Sequence, residues 1–205
     1  HRVEPQPGSA PGSGQDSALD GLVGDYHLVH LGARPLGGAG LVMTEMTCVS
    51  PEGRITPGCP GLYKPEHTVA FKRIADWIHA NSDAKFAIQI GHAGAKASTR
   101  LAWDGIDQPL ESGNWPLLSA SPQQYLEGVS QISRQMTRAD MDEVKANILA
   151  ALERVCKERN LTWALLLVTD GYDAQVLGYV VPALAQDWGL EKAAFGPVFS
   201  ARSEE

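Results

Sequence analysis

Apolar residues follow two alternating patterns along the chain, one typical of amphipathic helices and one typical of buried strands. Helical spacing occurs at 26–36, 65–81 and 137–158, and the second of these stretches places four apolar side chains on one face: Ala70, Ile74, Trp77 and Ile78. Short, nearly continuous apolar runs at 41–44 and 86–90 follow the first two helical stretches. Because strands covered on both faces show such runs, the alternation predicts an α/β fold with a parallel sheet or barrel.

Segments rich in proline, glycine and serine separate these elements and define the expected organisation. Residues 1–16 contain the run PQPGSAPGSG and lack the apolar surface that would offset the entropy of ordering, so we expect a linker or disordered segment. Residues 17–160 are expected to form the α/β domain, with long irregular loops at 50–64 and 101–135. Residues 161–205 form a separate segment that begins with an apolar run.

The apolar segment after residue 160 has two interpretations. The run 163–168 is typical of another buried strand, followed by a loop that contains Asp170 and Asp173. The stretch 161–185 is alternatively long enough for a membrane helix, but the two aspartates nearly cancel the favourable insertion energy of its Leu and Val residues. Composition alone therefore favours the strand and loop.

The charge and the cysteine content limit which binding partners and which cellular location are expected. The chain has 17 Lys plus Arg against 24 Asp plus Glu, a net charge of −7, and no basic cluster, which argues against a nucleic-acid partner. Its three cysteines form no disulfide framework or CxxC motif, so we expect a reducing, cytoplasmic location. The sequence starts at His1 without a signal region, and we expect it to begin inside a longer reading frame.

Three patterns that often carry chemistry have simpler interpretations here. The glycine-rich run 37–40 follows a helix and opens a strand, which indicates a helix cap, because a dinucleotide fingerprint has the opposite order. His27 and His30 share a helical face, but no third ligand stands at a useful spacing, so we predict no metal site. Apart from Arg54, no basic residue that would lower a thiol pKa stands near Cys48 and Cys59, and we expect unreactive thiols.

Gln89 is the strongest candidate for a ligand contact that the residues themselves provide. A carboxamide inside the apolar run 86–90 is either hydrogen-bonded in the core or directed at a ligand, because it offers both donors and acceptors. The polar sequence 44–47 occupies the corresponding end of the preceding strand. Since ligands of parallel α/β proteins bind at the carboxyl ends of strands, these two strand ends outline one pocket rim.

Several longer motifs resemble one known family. The stretches GDYHLVHLGARPLGGAGLVMTEMTCVSPEGRITPG, AIQIGHAGAKAST and EGVSQISRQMTRADMDEV are similar to the Old Yellow Enzyme family of flavin-dependent NADH oxidoreductases. The similarity covers about 17–145 and is nearest to the reductase part of enzymes that act on anthraniloyl-CoA or salicylyl-CoA. It implies an FMN-binding TIM barrel of the (β/α)₈ type, incomplete here, with about three to four βα units recognisable.

The resemblance also implies roles for individual residues. Gln89 matches a glutamine whose amide hydrogen-bonds the flavin pyrimidine edge, and Met46 matches a position whose backbone touches the flavin ring. Tyr172 matches the position of a proton donor. The implied reaction transfers hydride from NAD(P)H through FMN to the activated C=C bond of a small aromatic or enone-type molecule, or of a CoA thioester, in aromatic-compound degradation.

The last segment departs from this family. A His pair that holds the substrate carbonyl is replaced by Leu167 and Asp170, and 161–201 instead resembles the first membrane helix of aromatic-acid:proton symporters of the major facilitator superfamily. This second resemblance implies membrane contact through 161–185, and it favours the membrane helix over the strand that composition alone favours. We therefore expect a truncated or fused oxidoreductase chain with weak flavin binding and little activity. The alternatives are a membrane-associated transporter fragment and a nonfunctional fragment.

Overall fold

The chain is described by a computed structural model that gives residues 17–157 and 165–166. The helices are α1 (Asp25–Leu36), α2 (Pro65–Asn81), α3 (Ala102–Gly105) and α4 (Arg138–Lys157), with a 3₁₀ turn at Gly94–Lys96. The strands are β1 (Leu41–Cys48), β2 (Lys85–Gly91), β3 (Leu118–Ser119), β4 (Arg134–Gln135) and β5 (Leu165–Leu166).

A parallel sheet organises the described part of the chain. Its strand order is β1-β2-β5, and both pairings are parallel. Helix α2 connects β1 to β2 and α4 lies between β2 and β5, so each strand-to-strand step crosses over through a helix, as parallel pairing requires. β3 and β4 form a separate two-stranded parallel ladder within the long excursion after β2. The predicted α/β class and parallel sheet are confirmed.

The apolar segment after residue 160 contributes a strand to this sheet. Leu165 and Leu166 pair in parallel with Ile88 and Gln89 of β2. The strand predicted from composition is therefore present at these two residues, where the transporter resemblance implies a membrane helix. Within the part of the chain that the structure describes, no helix has both the length and the apolarity needed to cross a bilayer.

The main core fills the space between the sheet and the helices. On β2, Phe86, Ile88 and Ile90 are buried and point towards the helices. They meet an apolar stripe of α2 and the inner face of α4, which are formed by Phe71, Ile74, Ile78, Val144, Ile148 and Leu152. Because side chains alternate along a strand, Ala87 and Gln89 lie on the opposite face of β2.

Two helix ends follow the local sequence signals. Gly38 has a φ of +97°, and its N–H donates to the carbonyl of Pro35, so the glycine-rich run after α1 is a helix cap as predicted. Before α4, the backbone N–H of Asp140 donates to Oγ1 of Thr137 at 3.2 Å, and the N–H of Thr137 donates to the Asp140 carboxylate at 2.6 Å. This reciprocal pair is the capping box that the sequence predicts.

Several predictions concern residues outside the described ranges. These are the linker assigned to 1–16, the proposed proton donor Tyr172, and the roles of Leu167, Asp170 and Asp173. The structure therefore locates Met46 and Gln89 among the three predicted site residues, and Tyr172 stays a prediction from the sequence.

Candidate functional site

The carboxyl edge of the sheet brings Met46 and Gln89 together. The two residues are register partners on the adjacent parallel strands β1 and β2. Their pairing follows an irregularity in β1, where two residues, Thr44 and Glu45, occupy the interval that one residue occupies on β2. The two polar strand ends that the sequence assigns to one pocket rim are therefore adjacent in the sheet.

The side chain of Gln89 is suited to a ligand contact. It is partly exposed on the sheet face opposite the helices, and its carboxamide makes no hydrogen bond to any residue that the structure describes. A carboxamide offers donors and acceptors side by side, and the flavin pyrimidine edge offers an N–H and carbonyl oxygens in the same way. Gln89 therefore fits the group that the resemblance implies.

Two long loops form the wall above this strand pair. The loop after β1 and the loop after β2 are joined by hydrogen bonds from Ala93 N–H to the Gly53 carbonyl at 2.9 Å and from Thr99 N–H to the Ile55 carbonyl at 2.9 Å. The indole N–H of Trp115 donates to the Glu52 carbonyl at 3.1 Å. These cross-connections fix both loops to one another at the carboxyl edge.

Met46 packs into an apolar group at the base of that wall. The group has a buried centre and a partly buried periphery, and its members are Met46, Ile55, Ala93, Ala97, Trp115 and Leu117. The guanidinium of Arg54 lies 5.0 Å from the centre of the Trp115 ring, which adds a cation–π contact at the loop surface. The site therefore combines an apolar floor with one available carboxamide.

His92, directly after β2, is a site-adjacent residue that the sequence does not single out. Its Nδ1 accepts a hydrogen bond from the N–H of Gly94 at 3.1 Å, and its ring packs close to Gly53 of the other loop. Burial lowers the pKa of His92 to about 4, because the interior disfavours the imidazolium form. A neutral histidine thus helps to hold the two loops together.

His27 and His30 line a different cavity, on the helix side of β1. This cavity of about 170 Å³ lies between α1 and β1, and its lining also includes Glu45. Nδ1 of His27 accepts from the N–H of Gly24 at 3.2 Å, while its Nε2 lies 3.6 Å from the Glu45 carboxylate. Both nitrogens of His27 therefore face protein groups, which gives this histidine a structural role.

Burial supports the prediction that Cys48 and Cys59 are unreactive thiols. Cys48 is fully buried, and its thiol donates to the carbonyl of Pro60 at 2.9 Å. Burial raises the pKa of the Cys48 thiol well above its ordinary value, and the nearby Cys59 adds to the effect. Cys59 is also buried, and both cysteines are free thiols.

Both TIM barrels and open parallel α/β sheets bind small molecules at the carboxyl ends of their strands, where Met46 and Gln89 lie. Solved structures of TIM-barrel enzymes match the chain. The crystal structure of an Old Yellow Enzyme from Pichia sp. AKU4542 has a TM-score of 0.64 at 18% identity, covering 84% of this chain and 50% of that one. Most of this chain thus shares the fold of about half of an Old Yellow Enzyme TIM barrel.

The family follows from the sequence match. The model of the NADH:flavin oxidoreductase / NADH oxidase family matches residues 9–157, and the chain belongs to this family. An NADH:flavin oxidoreductase of Gibberella zeae is 38% identical over 147 residues, which make up 70% of this chain and 35% of that protein. The chain therefore spans about a third of the length of this relative.

A third match concerns a CoA thioester enzyme. A 2-naphthoyl-CoA reductase solved with 2-naphthoyl-CoA has a TM-score of 0.58 at 22% identity, covering 70% of this chain and 22% of that one. At this identity, the similarity between the two chains concerns the fold alone. FMN and a nicotinamide are the cofactors of the family to which the chain belongs.

Proposed function

We propose that the chain provides the FMN-binding part of an NAD(P)H-dependent oxidoreductase of the ene-reductase type. The observation that carries this proposal is Gln89, whose carboxamide has no hydrogen-bond partner among the described residues and stands beside Met46 at the carboxyl edge of a parallel sheet. Membership of the NADH:flavin oxidoreductase family supports it. The two residues are the ones that the family resemblance assigns to flavin contacts.

Each residue of the site would contribute a separate physical effect. The Gln89 amide would hold the pyrimidine edge of FMN through a paired donor and acceptor, which fixes the orientation of the ring. The backbone beside Met46 would limit how deeply the ring enters, and the apolar group around Trp115 would exclude water from one side. When bound, FMN supplies hydride transfer between the nicotinamide and an activated C=C bond.

The substrate class and the proton donor belong to the same proposal. We expect a small aromatic or enone-type molecule, and the fold similarity to a 2-naphthoyl-CoA reductase supports a CoA thioester of an aromatic acid within that class. Tyr172 is proposed as the group that donates a proton through its phenol. The free thiols Cys48 and Cys59 support a reducing location such as the cytoplasm.

FMN binding by the purified chain tests the proposal directly. Equilibrium dialysis against FMN measures the dissociation constant, and flavin absorbance after gel filtration shows whether the complex persists. We expect Gln89→Leu to weaken FMN binding by about tenfold, because one paired hydrogen-bond contact to a buried ligand is lost. Gln108→Leu is the matched control, since Gln108 is an exposed glutamine in the loop after β2.

The outcomes separate binding from turnover. Absence of flavin absorbance after FMN addition would contradict the proposal, as would equal affinities of the wild type and Gln89→Leu. Consumption of NADH with an added enone measures the complete reaction. We expect this to be slow in the chain alone, because Leu167 and Asp170 stand where the family carries its substrate-anchoring pair.

A further inference from the structure

A β-bulge lies directly beside the two residues proposed to contact FMN. Between the register pairs Met43–Ala87 and Met46–Gln89, β1 has two residues where β2 has one. Such a two-against-one count interrupts the regular ladder and turns the strand locally. The interruption leaves backbone groups on both strands without their ordinary ladder partners, and these groups need other partners because they lie in a partly buried region.

The hydroxyl group of Thr44 supplies the missing partners. Its Oγ1 accepts a hydrogen bond from the backbone N–H of Gln89 at 3.0 Å and donates to the backbone carbonyl of Glu45 at 2.8 Å. Oγ1 of Thr47 donates to the same carbonyl at 3.2 Å. The side chain of Thr44 is buried, as is that of Thr47. One buried hydroxyl thus links the backbone at Gln89 to the backbone just before Met46.

We propose that Thr44 is a positioning residue, which fixes Met46 and Gln89 relative to one another so that both can contact the same FMN. This inference rests on the proposed function. Thr44 acts through the backbone and needs no contact with the cofactor. A valine at this position has nearly the same shape but neither donates nor accepts a hydrogen bond. The backbone N–H of Gln89 would therefore lose its acceptor, and the backbone that positions the Gln89 side chain would be held less firmly.

Three variants test the role of this hydroxyl. Thr44→Val removes the hydroxyl, Thr44→Ser keeps it, and Thr68→Val is the control, because the Thr68 hydroxyl is buried on α2 without a hydrogen-bond partner among the described residues. Two quantities are measured on the purified full chain: the FMN dissociation constant by equilibrium dialysis, and the hydrogen-exchange rate of the Gln89 amide by NMR without FMN. Circular dichroism establishes that each variant is folded.

The expected pattern is specific to positioning. Thr44→Val should raise the FMN dissociation constant about tenfold and accelerate hydrogen exchange at the Gln89 amide. Thr44→Ser should keep both quantities near their wild-type values, and Thr68→Val should change neither. Wild-type affinity in Thr44→Val, or an unchanged Gln89 exchange rate, would overturn the inference. A wild-type chain that takes up no FMN would instead overturn the proposed function, and the amide exchange rate would still decide whether Thr44 fixes Gln89.

Discussion

Nε2 of His27 on α1 lies 3.6 Å from Oε1 of Glu45 on β1, and both side chains are largely buried. The contact ties the first turn of a helix to the bulged part of the strand that carries Met46. Nδ1 of the same imidazole accepts from the backbone N–H of Gly24, so one ring serves a helix start and a strand at once. His27 therefore links the outer layer of the fold to the candidate site.

Replacement of His27 by leucine should destabilise the chain. The substitution leaves the Gly24 N–H without its acceptor and removes the polar neighbour of a buried carboxylate, and we expect the free energy of unfolding to fall by about 2 kcal/mol. His30→Leu is the matched control, because His30 lines the same cavity from the same helix and is more exposed. Urea unfolding measures both. Equal losses in the two variants would contradict the assigned role.

Local sequence signals predict most of the secondary structure. The bounds of α2 follow from Pro65 at its start and from the apolar spacing along it, and the start of α4 follows from the Thr137–Asp140 pair. These features succeed because the interactions that produce them lie within one or two helical turns. The position of Gln89 near a strand end is predicted from the short apolar run that contains it.

Features that depend on partners distant in the sequence are not visible in the chain alone. The polar sequence after Met43 suggests an early end of β1, yet the strand continues to Cys48, because the bulge lets Thr44 and Thr47 satisfy backbone groups. The pairing of His27 with Glu45 likewise requires α1 to fold back along β1. The helical spacing of residues shows on which face of α1 a histidine lies, but it does not show which residue of another element that histidine contacts.

Stability should decrease on acidification through the titration of His92. Its pKa is about 4 in the folded chain against an ordinary value of 6.5, so the unfolded state binds more protons between these two values. The free energy of unfolding should therefore fall as the pH drops from 6.5 to 4 and change no further below that range on account of this residue. The full effect amounts to about 3 kcal/mol.

The contribution of His92 can be isolated with a variant. His92→Asn keeps an acceptor for the Gly94 N–H and removes the titrating group. Urea unfolding at pH 7.5 and pH 5 should show a smaller loss of stability in this variant than in the wild type. A variant that loses as much stability on acidification as the wild type would show that other groups account for the pH dependence.

Close packing between α1 and α2 makes Gly32 sensitive to any side chain. A Cβ at this position would lie 2.5 Å from Cζ3 of Trp77, so either the indole or the helix has to move. Gly32→Ala should lower the free energy of unfolding by about 1–3 kcal/mol despite the higher helix propensity of alanine. In a Trp77→Leu background the same exchange should cost less stability, because the indole that the added methyl group would meet is absent.

Gly40→Ala is the control for that series. Beyond the two adjacent residues of the chain, no atom lies within 4 Å of a Cβ built on Gly40, so this exchange should leave stability nearly unchanged. Thermal unfolding followed by circular dichroism compares the variants. If Gly32→Ala is as stable as the wild type, the contact between α1 and α2 at Trp77 is looser than the structure indicates.

The buried thiols should be protected from modification. In a Cys156→Ser background, the native chain should react slowly with iodoacetamide at pH 8, because Cys48 and Cys59 are both at most 2% exposed and the pKa of Cys48 is raised. Mass spectrometry after alkylation should show both sites modified in urea. Rapid labelling of either cysteine under native conditions would indicate local opening around the loop after β1.

The hydrogen bonds that join the two loops above the sheet connect parts of the chain that are remote in sequence. The pair Trp115–Glu52 spans 63 residues, and the pair Thr99–Ile55 spans 44. Such contacts form only after long segments of chain have been closed, and the same holds for the pairing of β1 with β2, whose partners Leu41 and Lys85 lie about as far apart in the sequence. The wall of the site is therefore expected to assemble together with the sheet. A cofactor that depends on this wall would be captured only by a chain whose strands have already paired.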